Sequence, residues 1–315
     1  MLVALGTPLR GRPRPWEHFE VPALMVNAYE IIKSEKLRRD IQAKGGLHEF
    51  LNFHGTIFLD SGGFQAMVHK IEVDVTTLLE VYKTNKADYY FSLDYPSSTL
   101  RNSQKKTDLT ILNYFKLREE IEDVVPVIHP PISRANQEYQ AYERHGPKCM
   151  AVGGLVPLML TSKGISNGRK QAVDLISMIR SGYTGNLHVM GLGAPTIIPI
   201  LEALGCNSTD SASWRLKAAH GKIMLPNGGE RYISQKGARF GIVPLAQHEK
   251  EQIEKLKGPV LEEHGWNGLE NSFKIRALFN AWITLHSRTP RKLNGPFLKL
   301  LAYAQERHLK SNRNS

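Results

Sequence analysis

A chain of 315 residues with 41% hydrophobic content can bury a full core and is too apolar to stay disordered. Its formal charge of +11 favours a polyanionic partner, because clustered Lys and Arg release the counterions condensed on nucleic acid. Only Cys149 and Cys206 occur, outside any Cys-x-x-Cys pair; this excludes a disulfide framework and a cysteine-rich zinc site and fits a reducing cytoplasm. No run approaches the roughly 18 apolar residues of a membrane span. The N-terminal stretch, with Arg10, Arg12 and Arg14 among prolines, lacks the apolar core of a secretory signal, so the expected location is cytoplasmic, with no membrane partner.

From residue 21 to residue 240, short apolar runs alternate with longer amphipathic ones, the pattern of repeated βα units. Strands are predicted over Val21–Val26, Thr56–Asp60, Tyr89–Asp94, Val124–His129, Cys149–Leu155 and Leu187–Gly191, with a short one ending near Asp210. Helices are predicted over Asp74–Lys86, where Val75, Leu78, Leu79 and Tyr82 keep helical spacing, and over Ser103–Glu122, Ser133–His145, Arg169–Arg180 and Pro195–Leu204. Pro195 suits a first helical turn. Functional-looking residues follow many strands instead of clustering at one switch point, so the expected fold is α/β, a (β/α)8 TIM barrel and not a doubly wound sheet.

A small hairpin is expected over Gly229–Gly241, carrying Tyr232, Ile233, Gly237 and Phe240. The expected division is a barrel over residues 1–245 and a basic helical C-terminal extension over residues 246–315. In that extension Lys274, Arg276, Arg288, Arg291, Lys292, Lys310, Arg313 and other cations interleave with Trp266, Phe273, Phe279, Trp282, Phe297 and Tyr303. Two readings fit: helices that pack apolar faces on the barrel with charges in solvent, or a nucleic-acid surface.

Three carboxylates stand at predicted strand ends. Asp60 closes an apolar run and is followed at once by Ser61, Gly62, Gly63, Phe64 and Gln65; Asp94 ends Tyr89-Tyr90-Phe91-Ser92-Leu93; Asp210 lies in Asn207–Trp214 after a glycine-bearing turn. In a parallel barrel the carboxyl ends of strands display reactive groups, and paired glycines let a flat ligand approach the backbone. Taken singly, Asp60 fits a helix cap and Asp94 and Asp210 fit turns, while Gly191 and Gly193 fit a phosphate cradle.

Taken in order, Asp60-Ser61-Gly62-Gly63-Phe64-Gln65, Ser92-Leu93-Asp94, Val152-Gly153-Gly154-Leu155, Met190-Gly191-Leu192-Gly193 and Asp210 resemble the motifs of the tRNA-guanine transglycosylases. The short chain, the Asp210-Ser211-Ala212-Ser213-Trp214 segment and the missing zinc ligands look most like the DNA-guanine transglycosylases of the DpdA type, which exchange guanine in DNA for a 7-deazaguanine. The resemblance implies a covalent nucleophile at Asp210, an acid/base at Asp60 and a base-recognition carboxylate at Asp94. It further implies base contacts at Ser61, Phe64, Gln65, Gly153, Gly154, Leu155, Met190 and Gly191, with Phe64 stacking on the ring and Met190 closing its other face. His129 stands where the tRNA enzymes usually carry a glutamine; it can donate to O6 of the base or serve as a core or capping histidine.

The chemistry suits these residue types. Breaking an N-glycosidic bond places positive charge on the sugar, which a carboxylate stabilises and captures, while a second acid with a raised pKa protonates the leaving base. A buried carboxylate offers two charge-assisted hydrogen bonds to the N1–H and amino group of a guanine. The implied partners are duplex DNA with a flipped guanine and a free 7-deazaguanine such as 7-cyano-7-deazaguanine (preQ0), with room for helper proteins that open the duplex; no metal or redox cofactor is expected. The same-chemistry alternative is a tRNA-guanine transglycosylase lacking the zinc subdomain, and the other rivals are a barrel that binds nucleic acid without turnover and a phosphate-binding barrel isomerase.

Overall fold

The computed structural model describes residues 1–69, 71, 73–96, 103–160, 167–234, 243–287 and 295–313. Within them, β1 (Leu2–Gly6), β2 (Ala23–Asn27), β3 (Thr56–Asp60), β4 (Tyr89–Phe91), β5 (Val124–Val125), β6 (Val127–Ile128), β7 (Cys149–Val152), β8 (Asn186–Val189) and β9 (Ser208–Ser211) form one sheet. Its order is β5-β4-β3-β2-β1-β9-β8-β7-β6, and every pair is parallel.

β5 and β6 are one strand interrupted at Pro126, which has no N–H to give to a ladder. One half pairs with β4 and the other with β7, so the sheet closes on itself. Counted as one, they turn the nine-stranded order into the eight strands of a (β/α)8 barrel, as the alternation of apolar runs predicts.

Alternation along each strand builds two cores. Phe58 and Phe91 point into the barrel with the small Ala4, Ala23 and Ala151, while Ile57 and Leu59 point outward into the larger core beneath the helices. Parallel strands are buried on both faces, which is why these segments read as nearly unbroken apolar runs. Cys149 faces the barrel interior and Cys206 the outer core; both are buried, and burial pushes each thiol up to about 12.

The structure departs from the sequence pattern in instructive places. β1 is not predicted at all, yet it is hydrogen-bonded on both sides, to β2 and to β9, with Val3, Ala4 and Leu5 fully buried. β4 ends at Phe91 and β7 at Val152, so residues 92–94 and 153–155 are loops and not strand ends; Gly154 leaves the strand direction at φ +71°. The helix predicted from Pro195 starts at Ile198, and Pro199 occupies its first turn. Asp74 caps Val75–Thr84 by accepting from the Thr76 and Thr77 amides, close to prediction. The hairpin pairs β10 (Lys222–Met224) with β11 (Glu230–Tyr232), beginning ahead of Gly229; Gly237, Phe240 and Gly241 lie outside the described residues.

Helix Phe273–His286 packs on helix Ser213–Ala219 and on β10. Asn280 fixes that contact: its Oδ1 accepts from the Met224 amide at 2.7 Å, and its Nδ2 donates to the Trp214 and Lys222 carbonyls at 3.1 and 3.0 Å. Phe279 is buried here, and even Arg276 is turned inward, donating to the carbonyls of Ala218, Leu269 and Glu270. Arg288, Arg291 and Lys292 lie outside the described residues, as do the side chains of Lys310 and Arg313. No described helix is long and apolar enough to cross a membrane.

Candidate active site

Strand direction assembles the site. Asp60 is the last residue of β3, Asp94 lies beyond β4, His129 directly follows β6, Gly153 follows β7, Met190 follows β8 and Asp210 is in the last turn of β9. All of these strands run parallel, so all six residues stand on one rim of the barrel.

Asp60 faces Asn27 across the β2–β3 register, and Asn27 Nδ2 donates to Asp60 Oδ2 at 3.0 Å. The Gly62 amide donates to the same oxygen at 3.2 Å. Although part of its surface remains open, dense protein surrounds the carboxyl: burial, then the nearby charges of Asp94 and Asp210, push it up to about 8. Asp60 therefore holds a proton at neutral pH. The coupling also brings the three carboxylates into one electrostatic neighbourhood.

The two glycines after Asp60 serve packing within the site. At Gly62, with φ +83°, a Cβ would lie 2.5 Å from both Asn27 Oδ1 and Tyr29 Cβ. At Gly63 it would lie 2.2 Å from the Asp94 carbonyl oxygen and 2.9 Å from Asp94 Oδ1. The pair thus lets the Asp60 turn close onto the Asp94 loop; the sequence motif suggested room for a ligand instead.

Asp94 is buried, with its two oxygens held apart. Ser61 Oγ donates to Oδ1 at 3.4 Å, and His129 Nε2 donates to Oδ2 at 2.7 Å. Behind it, His129, Glu138 and Arg134 are fully buried. Glu138 accepts from the His129 backbone amide at 2.7 Å and from Arg134 Nε at 2.8 Å, and its Oε1 lies 3.3 Å from His129 Nδ1. Burial works against the imidazolium, but the Glu138 carboxylate and the hydrogen bond to Asp94 outweigh it and raise the pKa of His129. The result is a buried hydrogen-bonded chain running from Asp94 through His129 to Glu138 and Arg134. Both His129 ring nitrogens are spent inside that chain, so its geometry is that of a support for Asp94 and not of a donor to O6.

Asp210 Oδ1 accepts from the Gly191 amide at 2.8 Å and contacts His188 Nε2 at 3.3 Å. Oδ2 has no protein partner among the described residues. Gly191 reaches this position with φ +73°.

The remaining expected contacts surround these acids. Phe64 is 56% exposed on helix Gly63–His69, available for stacking. Gln65 Oε1 is a buried acceptor without a partner among the described residues. Met190 is half-buried against the barrel interior. Gly153 is buried beside His129, and Gly154 is exposed. The Leu155 side chain is fully buried in the outer core, so what it offers a ligand is backbone. Asn27, Glu138, Arg134 and His188 escape the sequence pattern. His188 alone leaves a trace there, as the polar residue inside an apolar strand.

Arg10, Arg12 and Arg14 sit against carboxylates: Arg10 pairs with Asp40, Arg12 with Glu17 at 2.6 Å and Arg14 with Glu17 at 3.6 Å. Among the described residues, no group of three or more His, Cys, Asp and Glu side chains is placed to hold a metal ion.

A closed parallel barrel with three neighbouring carboxylates on its carboxyl rim, one held protonated by burial, belongs to the class of barrels equipped for acid/base work. Residues 11–252 match the family described as queuine tRNA-ribosyltransferase, and the chain belongs to that family. It is 28% identical to the tRNA-guanine(15) transglycosylase of Methanosarcina mazei over 227 residues, covering 69% of this chain and 45% of the relative. To the Nanoarchaeum equitans protein of the same description it is 31% identical over 212 residues, 65% of this chain and 50% of the other. To uncharacterized protein 306 of Sulfolobus islandicus rod-shaped virus 1 it is 28% identical over 236 residues, 72% of this chain and 69% of the viral one. The chain thus spans about half the length of the archaeal relatives.

Proposed function

We propose that this chain exchanges a guanine held in a polynucleotide for a free 7-deazaguanine by double displacement at C1′. The Asp210 Oδ2 attacks C1′ as the bond to the base breaks; the bonding electrons leave with guanine, which takes the proton of Asp60. A sugar–Asp210 ester remains. Asp60, now ionised, removes a proton from the incoming base, whose nitrogen attacks C1′ and expels the Asp210 carboxylate, with retention of configuration.

The observation that carries this reading is the division of labour between two neighbouring carboxyls. Asp210 leaves one oxygen without a hydrogen bond among the described residues, while Asp60 is pushed up to about 8 and holds a proton at neutral pH. Asp94, backed by His129, accepts from the N1–H and amino group of the base; Gln65 Oε1 is an acceptor awaiting a donor, and Phe64 and Met190 flank the ring.

As polynucleotide we propose DNA, with residues 1–245 as the catalytic barrel and residues 246–315 as a basic helical extension. The Asp210-Ser211-Ala212-Ser213-Trp214 segment and the two isolated cysteines support this choice. A second reading, exchange in tRNA, is favoured by the names of those same relatives.

The test is incorporation of labelled guanine or 7-cyano-7-deazaguanine into duplex DNA and into tRNA by the full chain, with Asp210→Ala and Asp60→Ala alongside. Label in DNA, lost in both variants, is the expected result. Label in tRNA alone would establish the second reading, and undiminished incorporation by Asp210→Ala would end the mechanism.

A further inference from the structure

The ring of His188 touches the proposed nucleophile. It is fully buried on β8, with its ring centroid 5.1 Å from that of Phe58 and 5.3 Å from that of Phe91, both inside the barrel. Its two nitrogens face different oxygens on the neighbouring strand β9: Nδ1 lies 2.8 Å from Ser208 Oγ and Nε2 lies 3.3 Å from Asp210 Oδ1. A packing residue in an aromatic pocket has no need of this polarity, and the adjacent rings offer it no hydrogen bond.

The proton position follows from the partners. A carboxylate oxygen only accepts, so a bare lone pair on Nε2 would face another lone pair; Nε2 must carry the hydrogen. In the neutral ring, with Nε2 as donor, Nδ1 accepts, and the Ser208 hydroxyl supplies the hydrogen. Ser208, His188 and Asp210 then form a directed relay, with the Gly191 amide as second donor to the same Asp210 oxygen at 2.8 Å.

Resting on the reading of Asp210 above, we propose that His188 is a positioning residue for the nucleophile, set by Ser208 to donate from Nε2. Donation by His188 and Gly191 to Oδ1 fixes the rotation of the carboxylate and so selects Oδ2 as the attacking oxygen. It also leaves Oδ1 with two donors when it becomes the carbonyl oxygen of the ester. That neutral oxygen accepts more weakly than the carboxylate, so the pair favours return of the anion when the second base displaces it.

The experiment uses the full chain with His188→Phe, His188→Gln and Ser208→Ala. His188→Phe keeps a flat ring between Phe58 and Phe91 but donates nothing; kcat and the single-turnover rate should fall about ten- to hundredfold, because a carboxylate free to rotate no longer aims Oδ2 at C1′. KM for the free base and for the polynucleotide should stay within about twofold, because the defect lies in the bond-making step. His188→Gln, with an amide N–H in reach of Oδ1, should recover most of the rate. Histidine 15N NMR of the unmodified protein should show the His188 proton on Nε2, and Ser208→Ala should weaken that preference. A His188→Phe protein exchanging at the unmodified rate, or a wild-type His188 protonated on Nδ1 alone, would overturn the inference. If His188→Phe fails to fold, the tautomer measurement still decides. Normal exchange with an indifferent His188→Phe would refute this inference alone, whereas a wild-type chain that exchanges no base would refute the reading of Asp210 and this inference with it.

Discussion

Asp60 ties stability to pH in a direction opposite to that of an ordinary surface carboxylate. Its folded pKa of about 8 exceeds the usual 3.8, so between those values the folded chain holds one proton more than the unfolded chain. The associated stability is fully present below about pH 4 and is lost as pH rises through about 8. Denaturant titrations across pH should therefore show the wild type losing at most about 1.4 kcal/mol per pH unit relative to Asp60→Asn, with the difference levelling off above about pH 8. Parallel curves would mean that Asp60 is ionised throughout. In turnover the same proton is the acid, so kcat should decline as pH climbs past about 8.

Glu138 makes a second prediction at this scale. Glu138→Gln removes the carboxylate that raises the pKa of His129 and should raise KM for the free base about tenfold, read in steady-state exchange, while leaving adduct formation by Asp210 detectable. Asp60 and Asp94 stood out in the sequence as acids closing apolar runs, and Asp210 as an acid among turn formers after a glycine-bearing turn. Their supporters were not. Asn27 meets Asp60, and His188 meets Ser208, only through the pairing of adjacent strands, and Arg134 with Glu138 reads in sequence like any solvated i, i+4 pair.

Elements bring those residues within reach, and the tightest junction is the turn after β3. Gly63→Ala would drive a methyl group into the Asp94 carbonyl, forcing the two loops apart. The expected cost is about 1–3 kcal/mol, seen as a lower melting temperature, with a rise in KM for the base because Asp94 moves. An unchanged KM would show that the Asp94 loop yields without disturbing recognition. Most strands could be read from apolar runs bounded by glycine and polar turns. β1 could not: its few residues lie before the repeating pattern begins, and only its ladders to β2 and β9 reveal it as a central strand. The ends of β4 and β7 were overextended because loop residues such as Leu93 and Leu155 are as buried as strand residues and continue the apolar run.

For the whole molecule, the question is how the C-terminal helices are joined to the barrel. The sequence left two readings, apolar faces packed on the barrel with charges in solvent or a nucleic-acid surface; the described part turns Phe279 inward, as the first expects, and Asn280 and even Arg276 with it. Asn280→Ala would strip partners from one amide and two carbonyls at that junction, a loss of about 3 kcal/mol that calorimetry should detect, with KM values unaltered. Composition could not anticipate this, since an inward arginine saturated by carbonyls and an outward one have the same place in the sequence.

The two sequestered sulfurs carry a practical corollary. One lines the inside of the barrel and the other sits beneath its helical coat, and burial keeps both protonated at neutral pH while the fold is intact. An alkylating reagent therefore finds nothing to modify until strands part or helices lift. Because Cys149 and Cys206 occupy separate layers, the order in which they are labelled under mild denaturant would tell whether the barrel opens from its interior or sheds its outer shell first.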